Sequence, residues 1–371
     1  MSLHELTPEQ REIRDLAARF ADERIAPNAA RWDREHTFPR ELFSELGALG
    51  LMGVCVPEEH GGAGADFLSY VLVLEELARA DAGVGVTVAV HTSACTLPLL
   101  AHGGERHVPP LASGEELGAF ALTEAGSGSD AAALRTRCKD GRISGAKQWC
   151  TNGSHASTFL VFAREPDNRI GAFVVRAGTD GFAVMREEEK MGLNSSSTAD
   201  LAFDGTPAER LGEPGGGMRI ALRTLDAGRI GIAAQAVGIA QAALDLASGY
   251  ARERHAFGGP IARLGAIQQK LADMQTEIEA ARALVWRAAR LKEAGQPHSV
   301  EGAQAKLFAS RVARHWTGEA IQVLGGYGYT KEFPAERYYR DAKVTEIYEG
   351  TSEIQRLVIA RALLGEAMRG G

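Results

Sequence analysis

The residue best suited to proton chemistry is Glu349, in the run Ile347-Tyr348-Glu349-Gly350-Thr351-Ser352-Glu353-Ile354-Gln355-Arg356. Ser352 and Gln355 fit a capping box, which predicts a helix start there and puts Glu349 on the loop before it. On spacing alone the simpler reading is a solvated loop carboxylate. Enclosed in an apolar pocket, the same group would have a raised pKa and could act as a general base.

Other segments could hold a ligand. Gly126-Ser127-Gly128-Ser129-Asp130-Ala131 fits G-x-G-x-x-A. The dinucleotide fingerprint also needs a long following helix, a βαβ context and an acidic residue about 20 positions on, and these are missing. A Gly/Ser turn between strands is the plain reading. A nest of backbone N–H groups for phosphate oxygens or flavin carbonyls is the better one. Trp149, Cys150 and Thr151 end a predicted strand. Trp149 is core by default, or else it offers its ring to a planar ligand. Arg254, in Glu253-Arg254-His255-Ala256-Phe257-Gly258, is by default a surface cation at a helix end, and could pair with a phosphate. Gly325-Gly326-Tyr327-Gly328 follows a long helical pattern and reads as a helix C-cap with a turn. The ten histidines make no metal-ligand spacing, and no G-x-S-x-G elbow occurs.

These residues need a scaffold. With 371 residues, two or three domains are expected. Net charge −7 argues against a nucleic-acid protein. The four scattered cysteines (Cys55, Cys95, Cys138, Cys150) suit reduced thiols in the cytoplasm. The start of the chain has no signal-peptide pattern, and no apolar run long enough for a bilayer stands out.

Residues 1–117 read as a helical domain. Thr7, Pro8 and Gln10 form an N-terminal capping signal, and apolar residues recur at helical spacing to Ile25. Further helices are expected over Pro39–Leu49, from Asp66 to about Ala80, and over Val84–Leu100. Residues 118–217 read as a small antiparallel β domain. Its short β-branched segments are separated by Asp140-Gly141, Asn152-Gly153, Asp180-Gly181 and Asp204-Gly205. Residues 218–371 return to long Ala-rich helical patterns over Met218–Tyr250, Leu264–Ala294, Ser299–Leu324 and Ser352–Leu364, as in a four-helix bundle.

Taken together, the run Leu122 to Asp130, Lys147 to Gly153, Arg254 to Gly258, Gln322 to Gly328 and Tyr348 to Arg356 resemble the acyl-CoA dehydrogenase family along essentially the whole chain. Within it the chain is most similar to short-chain (butyryl-CoA type) and short branched-chain members. The resemblance implies the family fold: an N-terminal α domain, a middle β domain and a C-terminal four-helix bundle.

The resemblance also implies FAD as cofactor and α,β-dehydrogenation of an acyl-CoA thioester, with Glu349 abstracting the α-proton. Phe120, Leu122, Thr123, Gly128 and Ser129 would line the flavin. Trp149 and Thr151 would contact its ring system, and Thr351 and Glu353 its ribityl and adenosine side. Arg254, Phe257, Gln322, Gly325 and Gly326 would come from a neighbouring subunit, in a homotetramer built as a dimer of dimers. Ser129, Asp226, Arg229, Tyr348 and Gly350 would meet the substrate. Electrons would pass to an electron-transfer flavoprotein, with no nucleic-acid partner and no membrane insertion.

Some members carry the base on a bundle helix, at the position of Gly228, and glycine cannot serve. Two departures stand out. Ala125 replaces the Pro usual in the Gly-rich turn, and Gly265 stands where most members have a Gln that reaches FAD. An oxygen-using oxidase or monooxygenase, a non-catalytic FAD- or nucleic-acid-binding relative, and a cofactor-free helical scaffold are the competing readings. The acyl chain length stays open, since it depends on volumes along Ser69–Ala78 and near Leu225.

Overall fold

Local capping chemistry sets the first helices of the computed structural model, which describes residues 5–365. The ends of the expected first and last domains, 1–4 and 366–371, lie outside the described residues. Helix α1 (Pro8–Phe20) starts where Thr7 Oγ1 accepts the Gln10 N–H at 3.1 Å, while Gln10 Oε1 accepts the Thr7 N–H at 2.9 Å. A π-helical turn, Ala21–Ile25, carries it without a break into α2 (Ala26–Glu35), past the point where helical spacing fades in the sequence. Helix α3 is Arg40–Ala48. Asp66 caps α4 (Phe67–Ala80), and Asp81 caps α5 (Ala82–Ala89) by accepting the N–H groups of Gly83 and Val84. A second π segment, Val90–Thr96, joins α5 to α6 (Leu97–Ala101), and α7 (Val108–Ala112) closes the helical region.

The sheet has eight strands: β1 (Gly118–Ala121), β2 (Arg137–Lys139), β3 (Arg142–Thr151), β4 (Thr158–Arg164), β5 (Ile170–Arg176), β6 (Phe182–Glu187), β7 (Thr198–Pro207) and β8 (Glu209–Leu211). Their order is β6-β7-β3-β2-β4-β5-β8, with β1 also beside β4. Most pairs are antiparallel, but β1 runs parallel to β4, and β2 meets β4 in parallel at Arg137 and Arg164. The expectation of a purely antiparallel domain is corrected there. The long excursion between β1 and β4 carries the chain back to the same end, which is what a parallel neighbour needs.

Asp140-Gly141 turns the β2–β3 hairpin with both residues at positive φ. Asp204-Gly205, expected between strands, instead lies inside β7. It opens a register shift against β3 and so makes a bulge rather than a turn.

The last region holds α8 (Gly217–Glu253), a two-stranded ribbon of β9 (His255–Ala256) and β10 (Gly259–Pro260), then α9 (Gly265–Glu293), α10 (Ser299–Leu324), α11 (Ala335–Val344) and α12 (Ser352–Leu364). Helix α11 is not evident in the sequence, because its inward face carries the buried Arg337 and Asp341 in place of an apolar stripe. The largest apolar cluster joins α4 and α5 to α8, α9 and α10, so the N-terminal helices and the bundle share one core. The sheet keeps its own core around Phe159, Phe173 and Phe203. The segments Ala82–Ala101 and Gly217–Glu253 are long and apolar enough for membrane spans, contrary to the reading of the sequence, but each is largely buried inside the protein.

Small residues on α8 let it approach α4 at backbone distance. A Cβ on Gly238 would lie 2.3 Å from the Glu75 carbonyl oxygen and 3.0 Å from the Arg79 nitrogen. Gly238→Ala is therefore expected to destabilise the protein by about 1–3 kcal/mol through overpacking, although alanine favours helices, as urea unfolding would show.

Candidate active site

Glu349 sits on the segment between α11 and α12 with φ +53°, a left-handed conformation costly for a side chain of this size, and Gly350 follows at +87°. Several side chains hold the segment in that shape. The Lys306 ammonium donates to the carbonyls of Thr345 (3.0 Å) and Gly350 (2.7 Å). Ser310 Oγ donates to Thr345 at 2.9 Å, and the buried Gln355 amide donates to Gly350 at 2.7 Å. The expected capping box is corrected: Thr351 is the N-cap of α12, its Oγ1 accepting the Ile354 N–H, and Gln355 turns back to the base's segment. Tyr348 hydrogen-bonds through its hydroxyl to Gln235 of α8.

The carboxylate points inward. Glu349 Oε2 is buried and has no hydrogen-bond partner among the described residues. It lies against α8 where there is no side chain: a Cβ on Gly228 would sit 2.5 Å from it. Buried Tyr70 lines the neighbouring wall, facing Gly231 and donating to the Ala89 carbonyl at 3.1 Å. Burial pushes the Glu349 carboxyl up to about 7, against the opposing pull of Lys306 and Arg229. The geometry therefore gives an enclosed carboxyl in place of a solvated one.

A second group gathers on the sheet. Glu124 and Ser127 exchange two backbone hydrogen bonds of 3.0 Å, so the turn closes with Ala125 in place of proline. Buried Lys147 bonds Glu124 (2.8 Å) and the Leu122 carbonyl (3.0 Å), fixing the turn to β3. Gly126, Gly128 and Ser129 are exposed, a Cβ on either glycine would meet nothing within 4 Å, and among the described residues the N–H groups of Gly128 and Ser129 have no partner. Along β3 a register shift between Lys147 and Cys150 turns Trp149 outward at φ +55°, leaving it 57% exposed. Trp149 is thus no core residue. Phe120 and Thr151 are half-buried, as is Thr123, while Leu122 is buried.

The remaining candidates lie elsewhere in the same chain. Arg229 is buried, pairs with Asp226 at 2.5 Å, and leaves its Nε without a partner. Thr351 and the exposed Glu353 stand at the start of α12, and Gly265 is exposed at the start of α9. Arg254 lies over the Tyr327 ring, 5.7 Å from its centroid, in a cavity of about 520 Å³ lined also by Gly325 and Gly326. Phe257 beside it is 93% exposed, and Gln322 is exposed. This group belongs to the far end of α8. Gly228, facing Glu349, and Arg254 are about 39 Å apart at the α-helical rise per residue.

The sequence reading passed over Glu124, Lys147, Lys306, Gln235 and Gln355. Lys306 had a signal: it occupies an inward helical position among Gly302, Ala305, Ala309 and Ala313. Among the described residues no cluster of three or more His, Cys, Asp or Glu could hold a metal.

Family models for the acyl-CoA dehydrogenase N-terminal, middle and C-terminal domains match residues 7–115, 119–206 and 215–364. The short-chain specific mitochondrial acyl-CoA dehydrogenase of Rattus norvegicus is 48% identical over 375 residues, covering 97% of this chain and 91% of its own. The butyryl-CoA dehydrogenase of Megasphaera elsdenii superposes with TM-score 0.94 at 42% identity, covering 97% of this chain and 99% of its own. A chain from a structure of the electron transferring flavoprotein of Acidaminococcus fermentans superposes with TM-score 0.96 at 44% identity, covering 98% and 99%.

The buried base has a consequence for stability. The folded Glu349 carboxyl holds its proton more tightly than an ordinary glutamate of pKa 4.5. Its contribution to stability is full below that value and is lost as pH rises through about 7. Glu349→Gln should therefore unfold above the parent at pH 8.5, by about 1–3 kcal/mol, and level with it at pH 4.5, in calorimetry at both pH values.

Proposed function

Because this chain belongs to the acyl-CoA dehydrogenase family, we propose that it desaturates a short-chain acyl-CoA thioester between Cα and Cβ, with Glu349 as the base. It is a FAD-dependent acyl-CoA dehydrogenase of the short-chain type. The observation that carries the mechanism is the buried, partnerless Glu349 Oε2 opposite the bare backbone of Gly228.

The residues present fit FAD. The outward Trp149 ring offers a flat apolar face beside Thr151. The free N–H groups of Gly128 and Ser129 form a nest for carbonyl or phosphate oxygens. Phe120, Leu122 and Thr123 flank that surface, and Thr351 and Glu353 at the start of α12 would hold the sugar side. Bound there, FAD supplies the oxidant that takes the β-hydrogen as hydride.

The chain's own residues do the rest. Glu349 removes the α-proton, a task suited to a base raised toward neutrality. Its backbone N–H has no partner among the described residues and is free to donate to the thioester oxygen as negative charge develops. Tyr348 and Gly350 shape the pocket at the base, while Asp226 with buried Arg229, and Ser129, would meet the CoA portion. The short-chain specific and butyryl-CoA enzymes among its relatives support a short substrate.

Arg254, which shares its cavity with Gly325 and Gly326, lies about 39 Å along α8 from Gly228, the residue that faces Glu349. A second copy of the chain then completes each site, within a homotetramer arranged as a dimer of dimers. The similar chain found with an electron transferring flavoprotein supports such a protein as electron acceptor. Four free thiols support a cytoplasmic location.

Anaerobic mixing with a panel of acyl-CoAs should bleach the flavin fastest with short chains, and the rate should rise with pH through about 7 as Glu349 ionises. Glu349→Gln should keep FAD and lose about 10²–10⁴-fold in that rate. A flavin that no acyl-CoA bleaches would overturn the proposal. For the shared site, Glu349→Gln and Arg254→Gln subunits, each poor alone, should regain activity when refolded together, since one site of each hybrid pair is then intact. No recovery in isolated hybrids would place both residues in one chain's site.

A further inference from the structure

Lys306 is 1% exposed, on the inward face of α10, where most neighbours are glycine, alanine or serine. A buried ammonium normally sits beside a carboxylate, because desolvation is costly for an uncompensated charge. Lys306 does not. Its hydrogen bonds go to two carbonyls, those of Thr345 and Gly350, and among the described residues no carboxylate lies within ion-pair distance of it. Those two carbonyls bracket the segment that holds Glu349 in its left-handed conformation.

The other charged groups near the pair are already engaged. Arg229 of α8 is bound to Asp226. Glu346 is bound to Lys343 and Arg314, and Glu353 of α12 is exposed beside Arg356. Tyr70 of α4 and Tyr348 are phenols that burial keeps protonated. What is left is the Lys306 amino group, which burial pushes down to about 7 and which has no carboxylate at ion-pair distance among the described residues, and the buried Glu349 Oε2, without a hydrogen bond among them.

We propose that Lys306 is a positioning residue for the base: its amino group clamps both ends of segment 345–350, and in its protonated form it favours the ionised carboxylate of Glu349 in a closed pocket. This rests on the reading of Glu349 as the base. The hydrogen bonds set where the carboxylate stands. The charge sets how readily it is found ionised, since an opposite charge nearby favours the charged form of an acid. When the substrate's α-C–H bond breaks, its proton passes to Glu349 and Lys306 keeps its own. Its charge, acting from beyond ion-pair distance, then favours release of that proton afterwards.

The test uses the FAD-loaded protein with Lys306→Met, and with Lys306→Gln, which keeps two N–H donors for the two carbonyls but no charge. Infrared pH-difference spectra report the Glu349 carboxyl band, identified by its loss in Glu349→Gln. The midpoint should move up by about one pH unit or more in both variants. Flavin reduction by butyryl-CoA should fall about tenfold at neutral pH and recover as pH rises past the new midpoint. Should Met prevent folding, the Gln variant alone decides. A midpoint equal to that of the parent, with only the melting temperature lowered, would reduce Lys306 to a structural plug and overturn the proposal. Wild-type flavin reduction in Glu349→Gln would sink the base assignment instead, while the carboxyl midpoint still reports whether Lys306 and Glu349 are coupled.

Discussion

A carboxylate enclosed without a hydrogen bond is the constraint around which this molecule is arranged. Glu349 Oε2 gains nothing from its immediate partners, so its position has to be imposed by the backbone that carries it. That backbone is itself in a costly conformation. The cost is offset by a dense set of donors aimed at the carbonyls on either side of the residue, from Lys306, Ser310 and Gln355. These donors lie on α10 and α12, so the base is as rigid as the bundle. The bundle in turn is fixed by the core it shares with the N-terminal helices.

The same economy of polar groups recurs where the three regions meet. Arg340 forms an ion pair with Asp33 of α2 and another with Glu336. Asp341 accepts the Leu193 N–H at 2.6 Å, and Asn194 donates to Asp33 at 2.8 Å. Helix α11 thus ties the N-terminal helices, the sheet's long connection and the bundle together immediately before the segment that carries the base. Buried polar contacts of this kind demand one geometry, whereas apolar contacts tolerate sliding. Orientation between the sheet and the segment that carries Glu349 is set by these contacts.

Much of this was legible in the sequence. Helices α4, α8, α9 and α10 follow from apolar spacing, because their burial is largely apolar and local rules agree with tertiary ones, while α12, whose buried residue is Gln355, was marked by its capping residues. Helix α11 was hidden because its buried face is ionic. The parallel pairing of β1 with β4 was hidden because strand direction depends on where distant chain returns, not on alternation. For the site, Glu349 could be named from its motif, but its enclosure could not, since that follows from Gly228, more than a hundred residues away. For Trp149 the spacing left core and an outward face for a planar ligand both open, and only the β-bulge, which reverses the face that a strand residue presents, turns it out to solvent. The burial of Lys147 and Lys306 was hidden because lysine is a residue type that is mostly exposed. Only the small apolar residues around Lys306 hinted otherwise.

The contact between Gly228 and Glu349 also bears on how such enzymes diversify. A glutamate at 228 would bring a second negative charge into the space that the Glu349 carboxylate fills. Two carboxylates that close would share one proton, so a second acid could be added there only at the expense of the first one's charge. Gly228 thus acts by omission: the space its missing side chain leaves is the space that the Glu349 carboxyl fills.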